Sequence, residues 1–188
     1  MKKDTPSPDT EPELPPFSEN PSMTFFLEAI GWMELGNGKE ALSSIEQIVD
    51  KYAIRFEVLA LKWSILYKLG RYKKCKDVSY FLTLFHSANV DSWMMHAQSF
   101  YNQKQYQKAY ETLQSVEKQF KNDWRFAYDY ACYHSLTKRF EKVDYWLKVA
   151  KRKGDPKEVD KMFENDPDFI PYQKYLESGK KDTDHLQK

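Results

Sequence analysis

The chain has 188 residues, 41% of them apolar and 16% aromatic, with 29 basic side chains against 28 acidic ones. That suffices for one ordinary domain or a short repeat array with a real core. The net charge of +1 supplies no overall field for capturing nucleic acid or an anionic membrane, and so argues against both as partners.

Two cysteines, Cys75 and Cys132, occur with no CxxC and no close pair of histidines. This argues against a disulfide framework or a zinc site, and no metal or cofactor is expected. The opening MKKDTPSPDTEPELPPF has two lysines but no apolar stretch behind them, so it does not read as a secretory signal. No apolar run approaches the length of a membrane span. A cytoplasmic, reduced setting is the expectation.

In chain order, residues 1–20 hold Pro6, Pro8, Pro12, Pro15 and Pro16 among acids and hydroxyls. Such a segment cannot bury enough surface to offset its ordering entropy, and it reads as flexible. Leu14-Pro15-Pro16-Phe17 is a short apolar exception inside it. From Ser22 onward the apolar residues follow a helical period. The period predicts paired helices over 22–35 and 39–52, 56–69 and 72–86, 90–103 and 106–120, 124–137 and 140–153. Asn89 and Asp123 fall at N-cap positions, where a side-chain oxygen accepts from first-turn amides. Gly36 and Gly70 fall at helix C-termini, where a left-handed residue costs least without a Cβ. Asp155-Pro156-Lys157-Glu158 opens a ninth helix as an N-cap acid, a first-turn proline and a capping-box glutamate. A short tenth helix is expected to end near Glu177, and 179–188 reads as a polar, frayed tail.

Four small residues recur at one step: Ala41, Cys75, Ala109 and Val143, each 34 residues after the one before. Ala29, Ala97 and Ala131 hold a second small position, with Trp32, Leu66 and Phe100 as large residues three further on in the first three units. Tyr72, Tyr106 and Phe140 hold a turn aromatic. This pattern resembles the tetratricopeptide repeat (TPR), a helix-turn-helix unit of that length. The resemblance spans units 22–55, 56–89, 90–123 and 124–154, followed by a helical cap over 155–178. It implies an all-α, right-handed solenoid of antiparallel helix pairs. Small residues let the two helices approach, and the aromatics fill the space beside them. The close of the chain is similar to the last repeat of bacterial TPR arrays, through Tyr128–Cys132, Gly154 and Asp166-Pro167-Asp168-Phe169. Departures from the pattern are Gly38 for the turn aromatic, Trp63 at a small position, Ser79 at a large one and His134 at an aromatic one. They predict a loosely packed first turn, adjusted packing in the second unit and a half-buried, hydrogen-bonded histidine.

In TPR stacks the first helix of each unit lines the groove. The resemblance then implies a peptide-binding surface of Met23, Phe26, Ile30 and Met33, then Ala60, Ser64 and Tyr67, then Met94, Gln98 and Tyr101, then Arg125, Tyr128 and Cys132. Glu57, Lys68, Asp91, Asn102 and Ser135 flank it. The floor is apolar at one end and rich in tyrosine, serine and amide in the middle, which suits a protein or peptide with apolar anchors. Phe26, Ile30, Asp91 and Met95 stand where heat-shock co-chaperones carry a basic clamp, so an acidic chaperone tail is an unsuited ligand.

Lys73-Lys74 and Lys148–Lys153 lie on second helices and read as solvated faces. Trp124, Tyr128, Tyr130, Tyr133, Tyr145 and Trp146 have the spacing of core rather than of a base-stacking platform. His86, His96, His134 and His185 are scattered, and no nucleophile stands beside a base. The expectation is a non-catalytic protein-interaction module. The alternatives are a self-associating structural subunit (a homo-oligomer built through Leu14–Phe17 or the Met23/Phe26 stripe) and a secretion-type chaperone for an unfolded client. Leu14–Phe17 lying in the chain's own groove is a further option.

Overall fold

The computed structural model describes Phe17 and residues 20–185. Nearly all of the 1–20 segment, including Leu14, Pro15 and Pro16, lies outside the described residues, as do 186–188. Two compact units divide the chain at residue 86.

The first unit holds α1 (Ser22–Glu34), α2 (Gly38–Ile45), α3 (Asp50–Ala53), α4 (Phe56–Lys68) and α5 (Tyr72–Phe85). α1 packs on α2 and α4 on α5, while α2 also packs on α4. The Asn37 side chain caps α2 by accepting from the Glu40 amide at 3.4 Å. One continuous helix over 39–52 is not what forms. The helix ends at Ile45, and Val49 is extended at φ −119° and ψ 177° before α3 begins. The break follows β-branched Ile48-Val49, whose χ1 is restricted against a preceding helical turn. It lets Ile45, Ile48 and Tyr52 all turn inward, at 1%, 4% and 6% exposure.

The second unit holds α6 (Val90–Tyr101), α7 (Tyr106–Val116), α8 (Trp124–Leu136), α9 (Val143–Lys153), α10 (Pro156–Asn165) and α11 (Ile170–His185). Short 3-10 helices at Phe140–Lys142 and Pro167–Phe169 precede α9 and α11. α6 packs on α7 and α8 on α9; α7 also packs on α8, and α10 on α9. Asn89, Asp123 and Asp155 cap α6, α8 and α10 with bonds of 2.9, 3.0 and 2.9 Å to the amides two residues on. α7 stops short of the expected Phe120, and that ring turns onto Phe126 with centroids 6.2 Å apart. α11 runs past the expected Glu177; beyond Pro171 its sequence holds no further proline to stop it.

The 34-residue step is a packing rule. Ala41, Cys75, Ala109 and Val143 are all fully buried, as are Ala29, Ala97 and Ala131. Trp63, at the remaining small position, is accommodated by stacking on Tyr67 at 5.2 Å, while the Cys75 thiol donates to its carbonyl. The same step governs the turns: Gly36, Gly70, Lys104 and Lys138 all have positive φ, at 75°, 68°, 58° and 58°. Two lysines therefore adopt a backbone that normally favours glycine. The first turn is not loose. The Leu69 side chain fills the place of the missing aromatic so closely that a Cβ on Gly38 would stand 3.0 Å from it. Among the described residues no helix is long and apolar enough to cross a membrane.

Candidate interaction surfaces

In the first unit Met23, Phe26, Ile30 and Met33 lie along α1 at helical spacing, and all four are partly buried. Ala60 and Ser64 on α4 are partly buried too, and the Ser64 hydroxyl donates to the Ala60 carbonyl at 2.9 Å. Tyr67 is 39% exposed and stands between Trp63 and Tyr72. Lys68 reaches the Met33 carbonyl at 3.4 Å, and Glu57 pairs with Arg55. Phe17 seats at the start of the stripe. It is 8% exposed, meets Phe26 edge-on at 5.4 Å and stacks on Tyr52 at 5.8 Å. The Arg55 guanidinium lies 5.3 Å from the centre of its ring. Trp32, expected as a packing residue, is 37% exposed.

In the second unit the expected groove residues meet the chain itself. The Tyr101 hydroxyl donates to Asp168 Oδ1 at 2.6 Å, and the Tyr128 hydroxyl donates to Asp166 Oδ2 at 3.0 Å. The Cys132 thiol faces Asp166 Oδ2 at 3.7 Å, and the Ser135 hydroxyl donates to the Asp168 carbonyl at 2.6 Å. Phe169 is fully buried against the Tyr128 and Phe163 rings, at 5.6 and 4.8 Å. Tyr101, Tyr128 and Cys132, expected to face a partner, are thus bonded to the chain's own Asp166–Phe169 turn. Arg125 is likewise committed, to Asp123 at 2.6 Å and Asp91 at 2.8 Å. Met94 packs partly buried against the core, and Gln98 donates to Asn102 at 3.4 Å.

Charge on this face is uneven. Burial alone would raise the Asp123 carboxyl, but hydrogen bonds from Arg125 outweigh it and hold the group below its ordinary value. At Asp129 the Arg125 charge and the Tyr133 hydroxyl pull the same way but do not prevail. Burial first, then the Asp166 and Asp168 carboxylates, push it up to about 7. Burial also raises Asp168 and the Cys132 thiol. His134 is not the hydrogen-bonded histidine expected from the sequence. It is 4% exposed, its Nε2 has no hydrogen-bond partner, and burial followed by Lys142 and Arg139 lowers its pKa. It fits beside the Tyr110 ring at 5.5 Å as the neutral form. In the basic run, Lys151 pairs with Asp160, while Lys148 and Arg152 are exposed.

The residues that sequence reasoning missed are Asp129, Asp166 and Asp168. The Asp-Pro-Asp-Phe motif was visible, but its partners lie 38 and 67 residues away, and no local spacing marks that pairing.

The family model described as tetratricopeptide repeat matches residues 90–116. Two solved structures share the fold. The one named MamA MSR-1 C2 aligns with a TM-score of 0.56 at 15% identity, over 84% of this chain and 98% of its own. The one named MamA AMB-1 P212121 has the same TM-score and identity, over 83% of this chain and 92% of its own. No curated protein matches the sequence.

Proposed function

We propose, on the premise that this chain is a tetratricopeptide-repeat protein with that family's all-α solenoid fold, that it is a non-catalytic interaction module whose open binding surface is the α1/α4 face of the first unit. The observation that carries this reading is the seat of Phe17 on Phe26, beside an Ile30–Met33 stretch still only partly buried. An aromatic from outside α1 already docks at one end of the stripe, so the surface is suited to apolar anchors. Methionines adapt their shape to such anchors, and Tyr67 adds area with a polar tip. The occupant is a peptide segment of a protein partner, extended or helical, held at about 1 µM, or about −8 kcal/mol. The second unit's face takes no part, because its tyrosines are already bonded to Asp166 and Asp168.

The test is selection of binding peptides on the immobilised full chain, followed by titration of the best one. Ile30→Glu places a charge in the stripe and is expected to weaken binding by 30-fold or more, roughly 2 kcal/mol, with helicity unchanged. Binding equal to that of the parent, in a variant of parent helicity, overturns the reading. A parent mass that grows with concentration, and ceases to grow in Ile30→Glu, would instead make a second copy of the chain the occupant.

A further inference from the structure

A cluster within the second unit uses none of the α1/α4 residues and does not depend on how that surface is used. The Cys132 sulfur, one carboxylate oxygen of Asp166 and one of Asp168 all lie within 4.8 Å of one another. We propose that Cys132, Asp166 and Asp168 form a binding site for a divalent transition-metal ion of the Zn2+ type, which clamps the Asp166–Phe169 turn onto α8.

Four observations carry this. First, the sulfur–oxygen separation suits ligation of one ion. With Zn–S near 2.3 Å and Zn–O near 2.0 Å, a tetrahedral S···O edge is about 3.5 Å, and Cys132 Sγ lies 3.7 Å from Asp166 Oδ2. Second, both carboxylates are fixed in place by hydrogen bonds, as ligands are by an outer shell. Tyr101 holds Asp168 Oδ1, Tyr128 holds Asp166 Oδ2, and the Asp168 amide holds Asp166 Oδ1 at 3.0 Å. Third, the acids have no close ion-pair partner among the described residues. None of the ion pairs among the described residues reaches Asp129, Asp166 or Asp168, and neighbouring Arg125 is committed to Asp123 and Asp91. Fourth, Tyr133 follows Cys132 on α8 and is only 3% exposed. Its hydroxyl lies beside the Asp129 carboxylate, whose charged form it favours, and within electrostatic reach of Cys132 and Asp168. A buried hydroxyl among these groups offers a polar partner to a metal-bound water.

The donor set selects the ion. One sulfur with two carboxylate oxygens suits a borderline ion such as Zn2+ or Co2+ and is a poor match for Mg2+ or Ca2+, which take oxygen ligands only. Binding replaces the Cys132 S–H bond by a metal–sulfur bond and releases that proton to solvent. Water completes the coordination.

Co2+ is the probe, added to the full chain after treatment with chelator and desalting. The expected result is a near-ultraviolet sulfur-to-cobalt charge-transfer band that saturates at one equivalent and is abolished by Zn2+. Cys132→Ser should lose the band, and Cys75→Ser, which alters a buried thiol elsewhere, should keep it. Asp166→Asn retains the N-cap, since asparagine caps as well as aspartate, and should weaken Zn2+ binding at least 10-fold with unchanged helicity. The proposal is overturned if the folded parent shows no such band, if Cys132→Ser keeps it, or if Asp166→Asn, folded like the parent, binds Zn2+ equally well.

Discussion

The two units use the same helix pair for opposite ends. In the second, the first-helix face is covered by the chain's own Asp166–Phe169 turn, with Tyr101, Tyr128 and Ser135 all donating into it. In the first, the stripe from Met23 to Met33 is only partly buried, with Phe17 seated on Phe26. The difference follows from side-chain chemistry. Tyrosine hydroxyls on a buried face need acceptors, and Asp166 and Asp168 supply them. Met23, Phe26, Ile30 and Met33 ask for apolar surface, which a partner's side chains can bring. A repeat face is thus closed or open according to which of these needs the same chain meets.

The comparison is broken most severely at Phe169. Phe169→Ala removes a fully buried ring from between Tyr128 and Phe163. It should cost about 3–5 kcal/mol in denaturant unfolding, while the peptide affinity proposed for the α1/α4 face is unchanged. An equal loss of both would show that the two faces are not independent.

Next in size is the acid beneath the turn. The native Asp129 pKa of about 7 lies above its ordinary value of 3.8, so the native state holds a proton that the unfolded chain has already lost. Stability from this group is therefore fully present below about pH 4 and falls as pH rises through 7. His134, lowered by burial, acts with the opposite sign. Its contribution is present above its ordinary value of 6.5 and is lost as pH falls, so the parent curve mixes the two. The difference between Asp129→Asn and the parent isolates the aspartate. It should grow from near zero at pH 4 to at most about 4 kcal/mol at pH 8 in favour of the variant, by denaturant unfolding with chelator present. A pH-independent difference would refute the assignment.

A smaller effect sharpens the packing of the second unit. A Cβ at Gly154 would stand 2.5 Å from the Trp124 ring. Gly154→Ala should cost about 1–3 kcal/mol, read as a lower denaturation midpoint. Ala109→Leu, at a fully buried helix contact, should cost a similar amount.

Smallest is the turn series. Lys104→Gly relieves a left-handed backbone at φ 58° and should raise stability by about 1 kcal/mol. Gly70→Ala, at φ 68° in the first unit, should lower it by a similar amount. A destabilised Lys104→Gly would mean that the lysine side chain contributes more than its backbone strain costs.

Much of the helix pairing was legible because it rests on residues a fixed step apart. Ala41, Cys75, Ala109 and Val143 mark the close helix contacts, and all four are fully buried. Lys104 and Lys138 hold the same left-handed turn one step on, but from the sequence only Gly36 and Gly70 read as turn residues. Helix ends were harder to read: β-branched Ile48-Val49 divides α2 from α3, a local break inside a pattern that otherwise continues. The covering of the second unit's face was not legible. Tyr101 and Tyr128 have the groove spacing whether or not their hydroxyls are already bonded.

Sequence alone determined the helical class, the repeat length and the small residues at each helix contact, because these depend on neighbours within one helix pair. Tertiary structure decided that Tyr101 and Tyr128 bond to the Asp166–Phe169 turn, and that Cys132, Asp166 and Asp168 stand together. Those outcomes depend on bonds between residues 33 to 67 positions apart. At such separations, chain geometry brings the groups together and no periodic pattern records it.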